Sequence, residues 1–335
     1  MLYERGLEMD IIKEFGISKT VYSLCFPETK KVLESLWNKS EGLHDMYSET
    51  WTKKQDNYHL SFAEAFKEWS KPNLTVNWDD FPFFYPTNGA SEAIREQLAY
   101  LSTKENKRIF VFDGEYEGYE AVAAALNMVV VKIKREKYME YAKEFEQGGS
   151  FFISQPSSID GNVWNEFNAF MSHLSIYDNV AVYIDTVYVG CIEREYSIYL
   201  DFEIIKGVFF SLSKAFGVYY HRIGGVFLKE ANPLLYGNMW FKNVFSMRYG
   251  EELMKQFNVY YFPKKYNEQK LKAIKKLETS MNVKIRSSDA LLLTTIRNET
   301  FEHEKFLTRT KDSKDIRVCI TPILEKIINK DVFHE

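Results

Sequence analysis

Between about residue 86 and residue 230, short apolar runs alternate with amphipathic stretches. The runs Arg108 to Phe112, Met128 to Ile133, Phe151 to Ser154, Val180 to Ile184, Val208 to Leu212 and Gly225 to Leu228 are rich in β-branched or aromatic residues, which predicts strands. Among the stretches between them, Ala90, Ala93, Ile94 and Leu98 fall on one face of a helix, as do Tyr119, Val122 and Ala123. Strands alternating with helices predict a mainly parallel α/β sheet covered on both sides. After residue 230 the pattern changes to a long charged helical stretch at Lys264 to Met281, strand candidates at Ala290 to Ile296 and Ile316 to Thr321, and a closing helix at Ile323 to Asn329. The domain reading is therefore an N-terminal arm over residues 1–45, a large domain over 46–235 and a small α+β domain over 236–335 that the arm joins.

Composition narrows the function classes. At 335 residues the chain exceeds one typical domain, which leaves room for a cleft between two. A hydrophobic fraction of 45% with 27% charged residues is ordinary for a globular protein, and a net charge of -4 offers no basic footprint for nucleic acid. No stretch reaches about 18 uncharged apolar residues, so no membrane span is expected. Charges from Glu4 to Glu14 interrupt the N-terminus and argue against a secretion signal. Cys25, Cys191 and Cys319 are odd in number and far apart, without a C-x-x-C pair, which fits a reducing cytoplasm and no metal site.

The chemistry concentrates after the fifth predicted strand, in the run from Ser211 through Lys214, Phe216, Gly217 and Arg222 to Gly225. A lysine at a strand end is ordinarily solvated. Lys214 instead sits among apolar and small residues, where a desolvated amine titrates downward and becomes a competent nucleophile. Ser211 and Arg222 flank it at spacings that can bring a hydroxyl and a guanidinium fork to one phosphate.

This segment resembles the internal-aldimine motif S-x-x-K-x-F-G, with an arginine eight residues after the lysine, of the aspartate-aminotransferase superfamily of pyridoxal 5'-phosphate (PLP) enzymes, fold type I. The resemblance implies that Lys214 carries PLP as a Schiff base and that further elements stand upstream in a fixed order. A phosphate-binding turn entering a helix is matched by Thr87 to Ile94, with Gly89, Ala90 and Ser91 at the anion. An aromatic that stacks on the pyridine ring is matched by Tyr116, for which core packing is the alternative. The acid that protonates the ring nitrogen is matched by Asp185, and Tyr188 completes a D-x-x-Y pattern that reaches the phenolic oxygen. Arg317 lands on the arginine that binds the substrate carboxylate, and Tyr58 on the tyrosine lent to the neighbouring subunit's phosphate. The chain departs from the family at Ser158, which stands where an asparagine contacts the phenolic oxygen. A serine hydroxyl can donate but reaches less far.

The resemblance spans roughly residues 57 to 321 and implies a homodimeric aminotransferase acting on an amino acid and a keto acid. The alternative within the same fold is a PLP lyase, decarboxylase or cyclising enzyme, which Ser158 and the short C-terminal region favour. A binding or regulatory protein that merely retains the fold would have no need of Lys214 and Asp185 together.

Overall fold

A computed structural model describes residues 24–38, 57–297 and 315–332, together with Gly16 and Val21. Most of the expected N-terminal arm therefore lies outside the described residues. In chain order the helices are α1 (Pro27–Asn38), α2 (Asn57–Ser70), α3 (Ala90–Ser102), α4 (Glu117–Ala125), α5 (Ala142–Glu146), α6 (Phe167–Leu174), α7 (Val244–Gln256), α8 (Tyr261–Lys265), α9 (Asn267–Met281) and α10 (Thr321–Val332). The strands are β1 (Leu74–Thr75), β2 (Phe83–Thr87), β3 (Arg108–Phe112), β4 (Val129–Ile133), β5 (Gly149–Ser154), β6 (Val180–Asp185), β7 (Ile198–Tyr199), β8 (Ile205–Ser211), β9 (Gly224–Leu228), β10 (Ile285–Ser287), β11 (Leu293–Arg297) and β12 (Asp315–Cys319). Among the described residues no helix is long and apolar enough to cross a membrane.

Seven strands form one sheet in the order β2-β9-β8-β6-β5-β3-β4. All neighbours pair in parallel except β9, which runs antiparallel to both β2 and β8. The α/β architecture with a mainly parallel sheet is thus present. Its central strands bury both faces, because successive large residues point to opposite sides. Phe110, Phe151 and Phe210 join one apolar cluster, while Val111, Phe152 and Phe209 join the other. On the first face Phe62 and Phe66 of α2 meet the sheet, with the Phe66 and Phe210 rings stacked 3.8 Å apart. On the second, Ala93, Ile94 and Leu98 of α3 and Tyr119 and Ala123 of α4 complete the layer. Truncating one such ring, as in Phe210→Ala, removes about 3–5 kcal/mol.

The predicted β3 has the observed ends, whereas β2 is not among the strands that the apolar pattern predicts. Pro86 lies inside it, and a proline has no N–H to give a sheet. It is tolerated because β2 is an edge strand paired only with β9, where Pro86 faces Gly225.

Beyond the large sheet, β10, β11 and β12 form a three-stranded antiparallel sheet, with α9 and α10 packed together nearby. The single helix expected from Lys264 to Met281 is two. Tyr266 breaks it with φ -103° and ψ 11°, its ring stacks on Phe26, and its hydroxyl donates to Glu28 at 2.9 Å. Contacts to α1 therefore override the helical period. The strand expected from Ala290 begins only at Leu293, because Ala290 forms an isolated bridge to Ile192 instead.

Candidate active site

The parallel strands of the large sheet end on the same side, and a cavity of ≈ 280 Å³ opens there. Such crevices at the carboxyl ends of parallel strands are where α/β folds bind ligands. Ala90, Ser91, Tyr116, Ser158, Asp185, Tyr188, Ser211, Lys214, Arg222 and Arg317 all line it. Tyr58, in the first turn of α2, does not.

One end of the cavity gathers donors for an anion. Strand β2 delivers the chain to Gly89, whose φ of 78° favours glycine and whose backbone caps α3. The first N–H groups of α3, at Ala90 and Ser91, have no partner within the helix and point from its positive end. Arg222 reaches the same place from the start of β9, where its backbone is left-handed at φ 51°, and its Nη2 donates to the Asn88 carbonyl at 2.8 Å. A Cβ added at Gly89 would stand 3.0 Å from Arg222 Nη2 and 3.5 Å from Ser211 Oγ. The turn, the guanidinium and the hydroxyl therefore converge on a point that a side chain would fill. Ser213, also on the wall, lies 3.1 Å from Ser211 through their hydroxyls.

The other end is a buried acid. Asp185 closes β6, accepts from Val187 N–H at 3.0 Å through Oδ1 and from the Tyr119 hydroxyl at 3.4 Å through Oδ2. Burial pushes its carboxyl up to about 7, the charge of Glu115 adds to that, and Lys214 pulls the other way. Burial and the adjoining Asp185 push the Tyr119 phenol well above its ordinary value. A carboxyl so placed favours a cationic partner within the cavity.

Lys214 lines the same cavity, half-buried, its charge felt by Asp185 and its Nζ donating to the Val21 carbonyl. Tyr116 caps α4, and its ring folds back over Gly118, where a Cβ would collide with it. That overlap explains the glycine. Tyr188 is buried three residues after Asp185.

Ser158 adopts an arrangement that the sequence does not suggest. Its hydroxyl donates to Glu115 Oε2 at 2.7 Å, so its one proton is directed away from the cavity. The Ser154 hydroxyl donates to the same oxygen at 2.7 Å, and Ser154 N–H to Oε1 at 3.1 Å. Burial raises the Glu115 carboxyl, while these hydrogen bonds and one from Tyr116 N–H oppose the rise. On its other side the Ser158 carbonyl accepts from Arg317 Nη1. Arg317 itself is buried on β12, opposite Thr295 of β11. Sequence reasoning missed Glu115, Ser154 and Ser213, and it read Tyr119 only as an apolar helix position. Glu115 carried no signal of its own, since an acid beside Asp113 and Gly114 reads as a solvated turn.

No protein-family model matches the chain, and a search of curated proteins finds no relative. Solved structures do match. A probable N-succinyldiaminopimelate aminotransferase from Thermus thermophilus is 15% identical, with a TM-score of 0.70 over 98% of this chain and 97% of its own. The PLP-bound C-S lyase from Staphylococcus hominis is 14% identical, with a TM-score of 0.69 over 94% of this chain and 90% of its own. The L-threonine-O-3-phosphate decarboxylase from Porphyromonas gingivalis is 14% identical, with a TM-score of 0.62 over 94% and 98%. By its sheet order and by these superpositions, the chain has the aminotransferase fold.

Proposed function

We propose that the cavity binds PLP, that Lys214 is its covalent anchor, and that the chain is an aminotransferase exchanging the amino group of an amino acid with a keto acid. The observation that carries this reading is one cavity whose wall holds Lys214, a convergent anion site and a buried acid. Its residues fit the group: the Gly89, Ser211 and Arg222 cradle suits a phosphate, and Asp185 suits a protonated ring nitrogen.

When bound, PLP supplies an aldehyde for an amine and an electron-withdrawing ring that stabilises negative charge at the substrate's Cα. The chain does the rest. Backbone N–H groups at Ala90 and Ser91, the Ser211 hydroxyl and Arg222 would hold the phosphate, while the Gly89 N–H is taken by the Thr87 carbonyl at 2.8 Å. Asp185, ionised beside a cation, keeps the proton on the ring nitrogen. Tyr116 and Tyr188, both on the cavity wall, would flank the ring and serve its phenolic oxygen. Arg317 would orient the substrate carboxylate, and the Lys214 amine, once freed, would act as the base at the substrate's Cα and as the acid that gives the proton back.

A lyase or decarboxylase reading has one observation in its favour: the Ser158 proton is committed to Glu115, so Ser158 would not donate to the phenolic oxygen. The discriminating experiment gives the purified, PLP-loaded protein an amino acid and no keto acid. An aminotransferase releases one equivalent of keto acid per chain and stops until an acceptor is added. Turnover beyond one equivalent without an acceptor would replace this reading with the lyase or decarboxylase. The expected homodimer finds support in Tyr220 and Phe241, which are 76% and 89% exposed on either side of Arg222 in sequence. Sedimentation should give about twice the mass of one chain, and a fully active monomer would contradict it.

A further inference from the structure

Ser158 is bonded on both sides. Its hydroxyl is held by Glu115 at 2.7 Å and its carbonyl holds Arg317, while its own N–H donates to Ser154 Oγ at 2.6 Å. Ser154 is itself fastened to Glu115 by hydroxyl and N–H. Every one of these residues is buried. In a close-packed interior such a chain of hydrogen bonds has few alternative arrangements, so displacing one end moves the other.

We propose that Glu115 is a positioning residue: by fixing Ser158 from beneath, it sets where the Arg317 guanidinium stands in the cavity, and so the affinity for a carboxylate ligand. The inference rests on the proposed function for the role of Arg317, but not on which reaction follows. Glu115 touches neither the cavity nor the reacting atoms. It stands behind the wall, and Ser158 is the residue between it and the guanidinium.

The same turn is also held from its far side, where Arg135 donates to Ser157 Oγ at 3.1 Å and to Asp160 at 2.7 Å. Those bonds stabilise the turn without passing through Ser158. They separate two possibilities: that the turn merely needs to be folded, or that Ser158 in particular must be held.

Binding is measured by calorimetry with propionate, using propionamide as the uncharged control, on the full chain with and without PLP. Glu115→Ala is expected to weaken propionate binding about tenfold, the loss of roughly one buried charge-assisted hydrogen bond. Glu115→Gln should recover most of it, because its amide oxygen still accepts from a serine hydroxyl. Ser158→Ala should reproduce the defect, and the double variant Glu115→Gln with Ser158→Ala should be no worse than Ser158→Ala alone. Ser157→Ala should leave propionate binding unchanged. In turnover assays the Glu115→Ala defect should appear in KM with kcat within about twofold, as lost uniform binding does.

If Glu115→Ala folds and binds propionate as the unaltered chain does, the inference fails. Should Glu115→Ala not fold, Ser158→Ala decides alone, and unchanged propionate binding in it has the same consequence. An equal defect in Ser157→Ala would reduce Glu115 to a support of the turn and also overturn the proposal. Since propionate binding needs no turnover, a chain without amino transfer still tests it. Failure of the unaltered chain to take up PLP on Lys214 is a separate result that removes only the proposed function.

Discussion

The two ends of the cavity are built on opposite principles. At the anion end the donors are backbone N–H groups, a hydroxyl and Arg222, a side chain exposed to solvent. At the acid end Asp185 and Glu115 are removed from water, and burial raises both carboxyls. Water screens the first end and weakens each of its contacts, so holding power must come from their number. Exclusion of water strengthens every interaction at the second, so one group there can govern charge developing on a ligand. The anion end is suited to retention and the acid end to reactivity. Substitutions at the two ends should therefore damage different quantities.

The largest effect expected is on turnover. Asp185→Ala should lower kcat by about 10²–10³, the range for losing one preorganised electrostatic group, while PLP affinity changes far less. Stopped-flow rates and equilibrium dialysis on the same preparation check the two quantities. Loss of PLP without loss of kcat in the loaded fraction would erase the contrast between the ends.

Arg222→Ala should do the reverse. Removing its charge-assisted hydrogen bonds costs about 1.5–3 kcal/mol, hence about 10- to 150-fold in PLP affinity, with kcat of the loaded protein nearly intact. A kcat defect at saturating PLP as deep as that of Asp185→Ala would show that both ends act on the reaction.

A third test uses stability in place of activity. In the PLP-free protein the Asp185 carboxyl is raised from 3.8 to about 7, so the folded state binds its proton more tightly than the unfolded state does. The resulting stability is fully present below about pH 4 and is lost as pH rises through about 7. Measured as the difference between the unaltered chain and Asp185→Asn, this should amount to on the order of 1–2 kcal/mol between pH 5 and 8, once local relaxation offsets part of the burial. PLP should flatten the difference by supplying a cation. A difference that does not change with pH would show that the acid titrates as it does in the unfolded chain, in solvent.

The contrast also explains what could be read from the chain beforehand. Lys214, Asp185 and Ser211 lie at or just past the ends of strands whose apolar runs announce them. Spacing joined Ser211 and Arg222 to Lys214, whereas Asp185 and the Gly89 turn, which follows the unannounced β2, entered only through the family resemblance. The predicted β6 needed only Asp185 added to reach its observed end. Glu115 and Ser154 were hidden because their meaning depends on a contact between segments 39 residues apart, and a short polar residue beside a turn has many uses. Ser158 was noticed as a departure, but its orientation toward Glu115 was not legible, since a hydroxyl's direction is decided by what surrounds it. Beyond residue 230, Tyr266 shows the same limit: a partner more than two hundred positions away breaks a helix that the local period continues.

The smallest effect expected tests the anion end from within. Ser211 is one of several donors there, and its hydroxyl already has company in Ser213 Oγ at 3.1 Å and the Ile223 carbonyl at 3.4 Å. A neutral hydroxyl contributes about 1 kcal/mol, so Ser211→Ala should weaken PLP binding by about fivefold and leave kcat unchanged. Ser213 N–H, which donates to Ser211 Oγ at 3.3 Å, is left without that acceptor and becomes available to the phosphate, which should trim the loss further. If retention is shared among many modest contacts, combining Ser211→Ala with Arg222→Ala should give nearly the product of the two single effects. A double variant no weaker than Arg222→Ala would mean that Ser211 acts only by placing the guanidinium, and the anion end would then depend on Arg222 as heavily as the acid end depends on Asp185.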